Sequence, residues 1–369
     1  MRLSVAAGVL EAGWPWPELM YRWRFSDVES TAAGVEVLDD TMTQGAGRPL
    51  PERLGREAHE TGAPPPGEAM GVLRVRLGNR VRFGEPLARY TSLRIGGPAD
   101  VFVRAESVED IRVLLGFSAA YSLPVFVLGG GTNLLVSDQG VRGSVLKLGR
   151  GFEYTNWRAT EDGALVAVGA GIRIARIARR SVEAGFGGLV FAEGIPGTIG
   201  GAVLMNAGAY GAEMGVVVHA VSGVSADGGH VHFGSDALQF GYRHLALPRD
   251  FIVTEVTVRL QREPIEALRA AMVDVRSRRE RAQPQRCPNA GSVFKNPPGG
   301  HAGRLIEAAD LKGVRLGQVQ ISDRHANFFL NLGGARASEV KGLMDLVQRV
   351  VWERFQIWLE PEVRLVGQW

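Results

Sequence analysis

Two glycine-rich segments carry the first chemical signal in this 369-residue chain. The run Pro124-Val-Phe-Val-Leu128 is a buried-strand pattern that leads straight into Gly129, Gly130, Gly131, Thr132 and Asn133. Amides in such a turn can converge on an anion, with Thr132 and Asn133 adding side-chain donors. The ordinary dinucleotide fingerprint is absent, because Leu134 stands where its last glycine belongs, and the Lys-Ser/Thr of a P-loop is missing too. The second segment runs Glu193-Gly194-Ile195-Pro196-Gly197-Thr198-Ile199-Gly200-Gly201, then Asn206-Ala207-Gly208-Ala209-Tyr210-Gly211. So many small residues give backbone clearance to a large flat ligand, and a flavin ring held edge-on by main-chain groups meets that description.

These segments need elements to hold them. Ser107-Val-Glu-Asp110 has the form of a helix cap, and the apolar spacing after it predicts a helix over 108–121. A second helix is expected over 172–184, with Arg173, Arg176, Arg179 and Arg180 on a solvated face. Ala226-Asp-Gly-Gly229 marks a hairpin between strands at 220–224 and 230–233. His230 and His232 share a face of it, but no third ligand accompanies them, so no metal is expected. A strand at 251–260 is followed, after Pro264, by a basic helix over 265–282, and the last helix, 337–355, carries an apolar core stripe.

Composition narrows the class. The chain is 45% hydrophobic and 22% charged, with mean hydropathy +0.00, which excludes a chain that is disordered as a whole. No apolar run is long enough for a spanning helix. The single Cys287 excludes an internal disulfide framework and favours a reducing, cytoplasmic setting. Residues 1–69 hold 6 basic and 11 acidic side chains, so the remainder carries 36 against 28. That body suits a small anionic ligand. Its basic residues are too scattered for nucleic acid, and no membrane partner is expected. Residues 1–69 read as a poorly ordered extension, and Met70 begins a strand-like GVLRVRL that offers an alternative start of translation.

Six motifs in order resemble the UDP-N-acetylenolpyruvoylglucosamine reductase (MurB) family. They are Tyr90–Asp100, the turn at 129–133, the segment 194–211, Phe240-Gly-Tyr-Arg243, Asn289-Ala-Gly-Ser-Val-Phe-Lys-Asn-Pro297 and Leu359-Glu-Pro-Glu-Val-Arg364. Gln283-Pro284 and Ala302–Glu307 are similar to the shorter type within it, and Thr132 stands where the family often has Ser. The resemblance implies an α+β protein. An FAD-binding domain of the vanillyl-alcohol-oxidase (PCMH) type, in two α/β subdomains, would occupy 70–262, and a C-terminal α+β substrate domain 263–369.

By the same resemblance FAD lies along 129–133 and along Gly194 to Gly201, Asn206 and Gly208 to Tyr210, with Thr91 and Ser92 close by. NADPH is the electron donor and a UDP-sugar carrying an enolpyruvyl ether the substrate, in peptidoglycan precursor synthesis, and the chain is a monomer. Ser292 is the implied proton donor, Arg243 the cation for the substrate carboxylate and Glu362 the catalytic glutamate. Tyr242, Lys295, Asn296 and Arg304 are candidate substrate contacts, with Arg278, Arg279 or Arg286 as alternative cations. Glu360 serves as a control for Glu362. An FAD-dependent sugar or alcohol oxidase is the alternative; it would need neither Ser292 nor Glu362.

Overall fold

The computed structural model describes residues 67–284 and 287–369, together with the backbone of a short strand, β1 (Val35–Val37). The reading of residues 1–69 as a poorly ordered extension falls outside the described residues apart from β1 and the start of the first helix, and Arg286 lies outside them as well.

The strand expected at 71–77 is instead a helix, α1 (Gly67–Leu77). Arginines alternating with apolar residues suggest period two, yet burial recurs every fourth residue, at Ala69, Leu73 and Leu77, while Val75 is 86% exposed. The helical period wins because one stripe suffices to cover the neighbouring core. Gly78, at φ 59°, ends it. Met70 therefore sits inside α1, after the buried Ala69.

The first layer is a four-stranded mixed sheet ordered β2 (Val81–Pro86), β3 (Pro98–Ala105), β6 (Val141–Leu148), β4 (Val125–Val127). Helix α2 (Val108–Ala120) packs beside α1, and Ser107 Oγ caps it by accepting the Asp110 N–H at 3.2 Å. A short strand, β5 (Leu134–Val136), follows the 129–133 turn.

The second layer is a six-stranded antiparallel sheet, in the order β1, β12 (His230–Gly234), β11 (Val218–Val224), β15 (Ile252–Gln261), β8 (Gly163–Gly169), β7 (Thr155–Ala159). Helices α3 (Ile174–Glu183) and α4 (Ile199–Leu204) bury their apolar faces with one side of it. The hairpin at 226–229 joins β11 and β12 as expected. His232 directs Nδ1 to Ser222 Oγ at 3.0 Å.

Helix α5 (Ile265–Ala282) follows, and its Leu268 and Met272 are buried in the core of the second layer. A separate core begins at Ala290. It gathers α6 (Ala302–Ala308), a three-stranded antiparallel sheet and α7 (Ala337–Phe355), whose Val340, Leu343, Met344, Val347 and Val351 form the expected stripe. That core also takes in Leu93, Ile95 and Leu135 from the first layer. The chain then returns: Arg364–Val366 pairs in parallel with β5. We propose a domain boundary at 263, with α5 as the element that ties the two parts together. The α+β class holds, the second sheet being wholly antiparallel.

Candidate active site

The two glycine segments meet. A Cβ on Gly130 would lie 2.5 Å from Gly197 Cα, and one on Gly131 2.0 Å from the carbonyl oxygen of Tyr90. Backbone packs against backbone here, which only glycine permits. Gly131 and Gly197 also take φ of 63° and 109°. Thr132 Oγ1 donates to the Pro196 carbonyl at 3.3 Å, and Thr198 Oγ1 caps α4 by accepting the Gly201 N–H. Beside these turns opens a cleft of about 900 Å³, bordered by both segments, Ser92, the 289–292 turn, Arg243 and Glu362.

Arg243 and Glu362 are 119 residues apart and touch: Arg243 Nε donates to Glu362 Oε1 at 3.0 Å. Arg243 sits in the two-residue turn of a hairpin, Gln239–Gly241 to His244–Ala246, at a positive φ of 57°. An arginine there is strained, and the fold holds it by other contacts. Asn206, fully buried, donates from Nδ2 to the Gly241 carbonyl at 3.0 Å and accepts the Gly215 N–H at 2.9 Å. The Arg243 guanidinium also lies 5.1 Å from the centre of the Tyr242 ring.

Glu362 is fixed through its main chain. Its N–H donates to Val293 O at 2.8 Å, and its carbonyl accepts Asn133 Nδ2 at 3.0 Å. One residue of the 129–133 turn thus anchors the glutamate. Burial pushes the Glu362 carboxyl above the usual carboxylate range, against the opposing pull of Arg243 and then Lys295. Glu360, the control, faces the other way: its side chain is 68% exposed and pairs with Lys295 at 2.5 Å. Phe294 forms an isolated bridge with Pro361, between the two glutamates, and the difference between them is one of burial and partner.

Ser292 follows Gly291, at φ 76°, and its backbone bridges to Phe328. Ser92 ties this turn to the first layer by donating from Oγ to the Asn289 carbonyl at 2.6 Å. Ser292 borders the cleft with Arg243 and Glu362, so three distant stretches of chain converge.

Other expected residues fall elsewhere. Thr91 is buried behind the wall, its Oγ1 donating to Ile95 O at 2.8 Å. Asn206 braces the hairpin and does not border the cleft. Neither do Tyr242, Lys295, Asn296 and Arg304. Asn296 Oδ1 accepts the Ala302 N–H at the start of α6, and Lys295 is engaged by Glu360. Of the alternative cations, Arg279 borders the cleft, while Arg278 pairs with Asp274 at 2.7 Å.

Several cleft residues went unnoticed in the sequence. Glu193, 1% exposed, accepts hydrogen bonds from Arg179 and from Arg276 of α5; Arg173, Arg176 and Arg179 are exposed as expected, and Arg179 also serves this buried carboxylate. Burial raises the Glu193 carboxyl, but the two guanidinium groups outweigh this and leave it below the usual range. Lys147 and Arg364 add positive charge to the wall. His325 also borders it; burial lowers its imidazole below the usual range, and Nδ1 accepts the Asn327 N–H at 3.3 Å, the arrangement of a neutral ring. No signal in spacing marks these residues, since each acts through a partner distant in the chain.

The wall suits FAD. Its two glycine turns present main chain to the cleft, and its cations match a diphosphate.

Comparison with known proteins agrees with the geometry. Residues 99–234 match the FAD binding domain model, and residues 283–366 match the model of the UDP-N-acetylenolpyruvoylglucosamine reductase C-terminal domain. UDP-N-acetylenolpyruvoylglucosamine reductase 2 of Symbiobacterium thermophilum is 45% identical over 294 residues, 79% of this chain and 94% of that protein. The Bacillus velezensis reductase is 38% identical over 297 residues, 80% of this chain and 97% of its own length. The crystal structure of MurB from Thermus caldophilus superimposes with a TM-score of 0.66 at 38% identity, covering 78% of this chain and 98% of that one. An FAD-dependent oxidoreductase is the result, and the chain belongs to the UDP-N-acetylenolpyruvoylglucosamine reductase family.

Proposed function

We propose that this protein reduces UDP-N-acetylglucosamine enolpyruvate to UDP-N-acetylmuramate, with NADPH as the source of electrons, in peptidoglycan precursor synthesis. The observation that carries this reading is the convergence of Arg243, Ser292 and Glu362 on the cleft beside the two glycine turns. Bound FAD supplies the hydride carrier between the two substrates. Gly129 to Asn133 and Gly194 to Gly201 would hold it, with Ser92 and Gly208 to Tyr210 at the border.

The chain's own groups supply the rest. Reduction of a vinyl ether bearing a carboxylate needs a proton at the carbon next to that carboxylate, together with stabilisation of the negative charge that builds there. Ser292 is the proton donor in this reading. Arg243 offers a permanently charged fork to the carboxylate. Glu362, its carboxyl raised above the usual range by burial, shares the Arg243 guanidinium and polarises the same group. Asn206 positions Arg243 through Gly241, and Asn133 positions Glu362. Tyr242, Lys295, Asn296 and Arg304 would meet the sugar nucleotide where it extends beyond the cleft wall.

The setting is cytoplasmic and the working form a monomer in this proposal, with no membrane or nucleic-acid partner. Among the described residues no helix is long and apolar enough to cross a membrane. A stopped-flow comparison tests the reading. Ser292→Ala should leave flavin bleaching by NADPH unchanged and slow reoxidation by the enolpyruvyl substrate by roughly 10²- to 10⁴-fold, the usual worth of a placed acid. Equal slowing of both halves would remove Ser292 from that role. The oxidase alternative would instead give oxygen turnover indifferent to Ser292 and Glu362.

A further inference from the structure

Lys147 is one of the charged groups of the cleft that the chemistry above leaves unused. It sits near the end of β6, with Leu146 fully buried before it, and its side chain emerges under the first glycine turn. Nζ donates to the Gly129 carbonyl at 2.7 Å. No carboxylate lies within ion-pair distance of it among the described residues. Its charged neighbours are mostly cations: Arg104 and Arg173 act on it, with Glu153 alone opposing. Burial, followed by those two arginines, lowers its ammonium below the usual lysine range.

A partly desolvated ammonium without a counter-ion is costly to keep. The turn that it bonds is itself closely packed, Gly130 against Gly197 and Gly131 against Tyr90. A neutral donor would serve as well to hold one carbonyl. The arrangement makes physical sense when a ligand brings the missing negative charge.

We propose that Lys147 is a positioning residue whose positive charge, fixed beneath the Gly129 turn, seats the anionic diphosphate of the bound cofactor. The proposal rests on the FAD reading above. It specifies which part of the cofactor Lys147 serves: the phosphates, and not the ring.

The test is a fluorescence titration of the full-length chain, stripped of flavin, with FAD and with riboflavin, which has the ring but no phosphate. Lys147→Met, Lys147→Gln and Lys147→Arg are compared with the wild type. Lys147→Gln keeps a donor for the Gly129 carbonyl without the charge. Both Met and Gln should weaken FAD by roughly 10- to 100-fold, the scale of one charge-assisted hydrogen bond, and leave riboflavin unchanged. Lys147→Arg should recover most of the FAD affinity. Added salt should weaken FAD binding to the wild type more steeply than to Lys147→Gln, because one screened attraction is gone.

Wild-type affinity in Lys147→Gln would show that the hydrogen bond alone matters and would overturn the proposal. So would equal weakening of FAD and riboflavin, which would make Lys147 a brace for the shape of the turn. A wild-type chain that binds no FAD would instead overturn the flavin reading itself.

Discussion

Replacing Arg243 by Met removes one end of the 3.0 Å contact to Glu362 while keeping much of the side-chain volume. A hydrogen bond between charged groups contributes about 1.5–3 kcal/mol, so losing it should slow flavin reoxidation by the enolpyruvyl substrate by roughly 10- to 150-fold. Glu362→Gln keeps an amide acceptor but removes the charge at the other end, and should cost a similar factor. If the two act as one device, the double variant is no slower than the slower single, whereas independent residues would multiply their effects. A pH series provides a second reading. Burial already raises the Glu362 carboxyl, and Arg243 is the leading influence that pulls it down. In Arg243→Met it climbs further. A carboxyl raised in the folded state contributes its stability below the unfolded value, roughly 4, and loses it as pH rises through the folded value. Thermal midpoints of Arg243→Met should therefore fall further behind wild type as pH rises above that unfolded value. Multiplicative rates in the double variant, or a gap that narrows with rising pH, would refute the coupling.

Four further outcomes follow. Gly130→Ala places a Cβ 2.5 Å from Gly197 Cα and should part the two turns, at a cost of about 1–3 kcal/mol and with loss of FAD from the purified protein. Gly116→Ala, in α2 with nothing within 4 Å of the new Cβ, should be neutral or stabilising by melting temperature. Glu193→Gln should lower stability at neutral pH but flatten its acid dependence. Glu193 is held below the usual carboxylate range in the fold, so its contribution is present above the unfolded value and is lost as pH falls through the depressed one; an unchanged acid limb in urea titrations would remove it from that role. Deleting residues 1–66 should leave both half-reactions intact, and rapid loss of FAD from the truncated chain would show otherwise.

Much of this protein is legible locally. Helices α2, α5 and α7 follow from apolar spacing with recognisable ends, and the hairpin at 226–229 from its Asp-Gly turn. The glycine turns announce themselves because close backbone approach and positive φ leave few residue types admissible. Helix α1 departs from the strand expectation for an equally local reason: the seven residues GVLRVRL fit two periods, and only the neighbouring core decides between them.

The ends of the chain's long reaches belong to tertiary structure alone. Nothing in the spacing of Arg243 and Glu362 says that they touch, that Asn133 holds the glutamate, or that Glu360 turns away to Lys295. The pairing of Glu193 with arginines from two helices and the place of Lys147 beneath Gly129 are of the same kind. The physical reason is that turn geometry and amphipathic period are fixed by neighbours within a few residues. A charge acquires its meaning from whatever the fold brings within a few ångströms, and from how little water is left there.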